Sequence, residues 1–186
     1  MLDLPRFAKE AGLRQRLCIL LLLCNAAFTF GQKSPAIKDQ LPGTWRLVSI
    51  ETIRPSGEII YPFYGKHPQG LLMYDRSGWM SVQIVADPMP MVPRTSSREE
   101  FLKAPQSEKV AAIDGYYAYF GTWTTDESTP SVTHHIRQSL SPGERDQDGV
   151  RGVALQGNRL TLTAKTHEMG EDHQRRLVWE RITSSQ

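Results

Sequence analysis

The chain has 186 residues, of which 22 are Lys or Arg and 20 are Asp or Glu, giving a formal net charge of +2 with neutral histidines. So even a balance argues against a nucleic-acid partner, which needs a basic stripe to displace counterions from phosphates. Both cysteines, Cys18 and Cys24, fall within the first 31 residues, so the rest of the chain cannot use a disulfide, a thiolate nucleophile or a cysteine-ligated metal.

Residues 1–31 read as a signal peptide. Arg6, Lys9, Arg14 and Arg16 precede an apolar run from Leu17 to Phe30 that only Asn25 interrupts with an amide. The run is shorter than the roughly 20 residues a helix needs to cross the hydrocarbon core. Thr29 and Gly31 supply the small residues for cleavage before Gln32. Leu23 stands before Cys24, where a lipid-anchored precursor would need a small residue. The expectation is a secreted or periplasmic protein with no stable membrane anchor after cleavage. The segment takes four basic and two acidic residues with it and leaves a formally neutral remainder.

Residues 32–40 are polar and aperiodic and read as a flexible arm, with one domain at 41–183. Runs rich in β-branched and aromatic residues predict strands near 44–53, 58–61, 70–75, 78–85, 116–125, 131–140, 150–155, 159–165 and 174–182. Turn signals such as Pro55-Ser56-Gly57, Ser77-Gly78 and Gly157-Asn158 separate them. Residues 86–94 hold three prolines and two methionines and predict a loop near a barrel mouth. Residues 96–113 predict a helical segment with a serine cap, split in two by Pro105. The pattern is that of a mainly β, antiparallel barrel of about eight or nine strands with an inserted helical segment.

Gly43-Thr44-Trp45, opening the first strand, matches a G-x-W signature. With GTWRLVS, LLMYDRSGWMSVQ, GYYAYFGTW, VTHHI, GNRLTL and RLVWER read in order, the chain resembles the bacterial lipocalin-like domain family over nearly all of residues 41–183. The resemblance implies a calycin-type barrel in which an arginine near the last strand, Arg176 or Arg181, stacks on Trp45. It implies no ligand, because a barrel of this kind hosts unrelated functions.

Strand alternation sorts the candidate site residues. Val132, His134, Ile136, Gln138 and Leu140 share one face of the sixth strand, so His134 is expected inside and His135 outside. Tyr117, Tyr119 and Trp123 share a face expected to line the interior, while the inserted helix covers Tyr116, Ala118 and Phe120. Ser81 and Gln83 either point inward as a donor and acceptor pair or are solvated. A small hydrophobic ligand held by Ser81, Gln83, Tyr117, Tyr119, Trp123, His134 and Ile136 is the first functional expectation. The second is a cofactor-free isomerase, cyclase or lyase with His134 as acid or base and Tyr119 as its hydrogen-bond partner. The third is a filled barrel acting through its surface. His67, His167 and His173 are scattered, and no phosphate loop or nucleophile elbow is present, so no metal or cofactor is expected. Barrel closure leaves no free edge, which makes a monomer the expected state.

Overall fold

A computed structural model of the chain describes residues 35–89 and 97–183. The expected signal peptide, residues 32–34 of the arm and most of the 86–94 loop lie outside the described residues. The strands are β1 (Gly43–Ile53), β2 (Ile59–Ile60), β3 (Gln69–Tyr74), β4 (Trp79–Val85), β5 (Tyr116–Asp126), β6 (Ser131–Ser139), β7 (Asp148–Gln156), β8 (Arg159–Glu168) and β9 (Glu171–Arg181). The helices are α1 (Ile37–Gln40), α2 (Arg98–Lys103) and α3 (Gln106–Asp114).

All pairings are antiparallel, and β3 to β9 follow one another as neighbours in chain order. Closure comes from β1, which is long enough to serve two partners: Gly43 to Arg46 pair with β3, and Trp45 to Ile53 pair with β9. Eight strands thus form the closed barrel, and β2 is an extra pair of residues on the far end of β1. The core draws on one side of each barrel strand and is led by Trp45, Leu72, Ile84, Leu160 and Trp179.

One end is sealed and the other is open. At the sealed end α1 folds under the barrel, its first two amides donating to the Glu127 carboxylate at 3.0 and 3.1 Å. Residues 37–40 are therefore a helix and not a flexible arm, since an acidic side chain satisfies the amides that a helix start leaves free. At the open end the Phe63–Tyr64 turn, the start of β5 and a single 3-10 turn at Pro142–Glu144 surround the mouth. The amide of Asp87 donates to the Tyr64 carbonyl at 3.0 Å, which brings the start of the 86–94 loop to this end. Gly65, at φ 75°, makes that approach possible, because a β-carbon there would stand 1.8 Å from the Asp87 carbonyl oxygen.

The helical segment splits where Pro105 stands, and Ser97 caps α2 by accepting from the Glu100 amide at 3.2 Å. It does not cover the outer face of β5 as alternation suggested. Neither α2 nor α3 buries a residue, and Tyr116 and Phe120 remain 38% and 46% exposed.

A bulge also corrects the reading of β6. Phe120 pairs with Gln138 but Gly121 pairs with Ile136, so Arg137 is an extra residue, and alternation reverses beyond it. Gln138 and Leu140 therefore face out, while Ser139, paired with Tyr119, turns inward. Gly121 is required here: a β-carbon would lie 2.0 Å from the His135 carbonyl oxygen, a backbone atom that cannot move aside. Gly121→Ala is expected to cost about 2–3 kcal/mol, the usual penalty of forcing volume into a packed site, read as a lower urea midpoint.

Candidate functional site

The inner faces of β3 to β9 leave a cavity of about 340 Å³ that opens at the Tyr64 end. Leu72, Val82, Ile84 and Leu162 give it apolar walls, and Tyr117, Tyr119 and His134 give it an aromatic and polar side. This is the composition and, at the small end, the size of a small-molecule site.

His134 is 1% exposed and is clamped between two tyrosines. Its Nε2 lies 2.6 Å from the Tyr74 hydroxyl and its Nδ1 lies 2.8 Å from the Tyr119 hydroxyl. Burial holds its pKa well below the ordinary histidine value, and the Arg151 guanidinium and then His135 push the same way. The imidazole is therefore neutral, with one N–H and one lone pair to share between two hydroxyls.

The tautomer follows from what else each tyrosine can reach. Tyr74 is buried and has no other hydrogen-bond partner among the described residues, so an arrangement that spent its oxygen as acceptor would strand its O–H at a cost of about 1–3 kcal/mol. Tyr74 therefore donates to Nε2, the ring proton sits on Nδ1, and Nδ1–H donates to Tyr119. The Tyr119 oxygen accepts, and its own proton is left for whatever occupies the cavity. Burial raises the Tyr119 pKa, against the pull of Arg151 beside it, so the hydroxyl stays protonated.

Nearer the mouth, Tyr117 donates to the Glu144 carboxylate, 2.9 Å from each oxygen, and Ser139 donates to it at 2.6 Å. Burial is the main cause that raises the Tyr117 pKa, with Tyr119 and Glu144 adding to it. Arg175 pairs with Glu168 and lies over the Phe63 ring, 5.1 Å from its centroid. Arg151 sits on the inward face of β7, between Gly149 and Val153, and borders the cavity.

The structure sorts the expected residues into three groups. Tyr117, Tyr119 and His134 border the cavity together. Trp123 and Ile136 point inward but are packed in the core away from it: Trp123 stands 5.1 Å from the Tyr74 ring and donates its indole N–H to the Asp75 carbonyl at 3.1 Å. Ser81 and Gln83 lie on the outer face of β4, since Met80, Val82 and Ile84 take the inner one, so the inward alternative for that pair is set aside. His135 faces out and bonds to Asp148 at 2.7 Å and Thr124 at 2.9 Å. Sequence reasoning missed Arg151, Glu144, Tyr74 and Trp179. Arg151 was open to the same alternation argument, because it interrupts an inward row that continues through Val153 and Leu155. Glu144 sits in a short turn, where no periodicity exists to read.

Among the described residues no group of three or more His, Cys, Asp or Glu side chains could hold a metal ion. A family model described as a lipocalin-like domain matches residues 42–182. No curated protein matches the chain.

Proposed function

The chain belongs to the lipocalin-like domain family, and from that premise we propose that it is an exported binding protein that holds a small, largely hydrophobic molecule inside its barrel. The observation that carries this reading is the cavity itself, with apolar walls, an open mouth and a neutral His134 locked between tyrosines. A filled core acting through its surface finds no support in a barrel with such a space. An acid or base role for His134 finds little, since both ring nitrogens are already engaged and a proton taken up there would be buried. Export rests on the order of basic residues, apolar run and small residues in 1–31.

One experiment addresses both parts. Native mass spectrometry of the protein recovered from the envelope or medium of an expressing bacterium is expected to show a chain beginning at Gln32 that carries a stoichiometric adduct, which organic extraction releases. A chain retaining residues 1–31 would overturn export. A barrel that takes up no apolar compound, either during expression or from an added library, would overturn binding.

A further inference from the structure

The polar inventory of the cavity is lopsided. Every acceptor of note is already used: Glu144 receives Tyr117 and Ser139, and Glu168 receives Arg175. Apart from the Thr166 hydroxyl, which can give or accept, the unmatched groups are donors. Tyr119 keeps a proton that His134 cannot take. The indole N–H of Trp179, a cavity-bordering residue, is buried and has no partner. Arg151 has no carboxylate partner among the described residues; it bonds to the adjacent Val150 carbonyl at 3.2 Å and to the Tyr119 hydroxyl beside it.

Arg151, half-buried beside the Tyr119 hydroxyl and without a carboxylate, is placed to pair with an anion that enters the cavity. Other features make room for the guanidinium. Gly149, paired across the strand with His134, lacks a side chain that would come within 3.1 Å of the guanidinium nitrogens. Tyr74 fixes the imidazole so that Nδ1–H donates to Tyr119 and aims that hydroxyl's proton away from His134.

We propose that the ligand is an organic carboxylate whose head is held by Arg151 and the Tyr119 hydroxyl, with its apolar body against Leu72, Ile84 and Leu162. The claim rests on the reading of the barrel as a binding protein and adds the chemical class of what it binds. A carboxylate supplies the acceptor atoms the wall lacks and the negative charge Arg151 lacks, and it matches the planar fork of a guanidinium. An alcohol would meet only the first need. A protonated amine would meet neither, since it brings no acceptor and its charge repels the guanidinium.

The test titrates decanoate, decanol and decylamine into the full chain at pH 7.5, followed by tryptophan fluorescence. Decanoate is expected to bind at least about tenfold more tightly than the other two, the size of effect that a charge-assisted pair produces. Arg151→Met is expected to abolish that preference by weakening decanoate far more than decanol, and Tyr119→Phe to reduce it about fivefold. If Arg151→Met lacks wild-type near-ultraviolet dichroism, Arg151→Gln carries the same comparison. Equal affinity for decanol and decanoate, tighter binding of decylamine, or decanoate affinity within twofold of wild type in a folded Arg151 variant would overturn the carboxylate site and leave the binding reading standing. Failure of all three compounds to bind would overturn the carboxylate site, and together with an empty library screen it would overturn the binding reading as well.

Discussion

Trp45→Ala is expected to lower the unfolding free energy by about 3–5 kcal/mol, the range for removing a large aromatic from a core that cannot collapse around the gap. Trp45 is 0% exposed, and two contacts hold it. Its indole N–H donates to the Leu41 carbonyl at 2.9 Å. The Arg181 guanidinium lies over its ring, 4.0 Å from the centroid. The same guanidinium donates to the Pro42 carbonyl at 2.7 Å and to the Gln40 carbonyl, tying the end of β9 to the chain that leads into β1. The ring therefore plugs the barrel, and the arginine ties the plug to the end of β9. Arg181→Met keeps much of the apolar stem and loses the cation and both carbonyl bonds, so it is expected to cost about 2 kcal/mol. Urea denaturation with an unchanged slope checks both. A loss under about 1 kcal/mol for Trp45→Ala would mean that the sealed end contributes little to stability.

That plug was legible before the fold was known, and Arg181 rather than Arg176 turns out to supply the cation. Arg176 instead donates to Glu51 across β1 and β9. The two candidates lie five residues apart in a strand, on opposite faces, and choosing between them required the register. Strand alternation likewise placed His134 inside and His135 outside, because the β5–β6 pairing is regular from Gly121 to Asp126. It failed for Gln138 and Leu140 because a bulge is a single-residue event that leaves no periodic trace. It could not foresee the His134–Tyr74 contact either, since the two residues are 60 apart in sequence and are brought together only by the barrel curving round. The exposed row of Leu71, Met73, Trp79 and Phe120 defeated the assumption that apolar strand faces are covered.

His134 should make the stability of this barrel depend on pH in a window where carboxylates are silent. Its folded pKa is well below the ordinary value because burial, Arg151 and His135 all disfavour the imidazolium, while in the unfolded chain it returns to about 6.5. Between those two values the unfolded state binds a proton that the folded state refuses, so stability falls as pH falls. The contribution is fully present above about pH 7 and declines as pH falls below about 6.5, with a slope that approaches the one-proton limit of about 1.4 kcal/mol per unit. His134→Gln removes the titration and keeps an amide that can still bond to one of the two tyrosines. The variant is expected to be less stable than the wild type by about 2 kcal/mol at pH 7.5, since the amide cannot reach both hydroxyls with imidazole geometry. That difference should shrink steadily on acidification below about pH 6.5, as the wild type alone loses stability. Comparing the two proteins at each pH cancels the other titrating groups, including Asp75, Asp126 and Glu127, whose hydrogen bonds lower their pKa values and confine their effect to more acid conditions. A difference that stayed constant from pH 7.5 to pH 5 would mean that His134 carries its proton in the folded barrel as readily as in the unfolded chain, and the neutral tyrosine–histidine–tyrosine clamp would have to be abandoned.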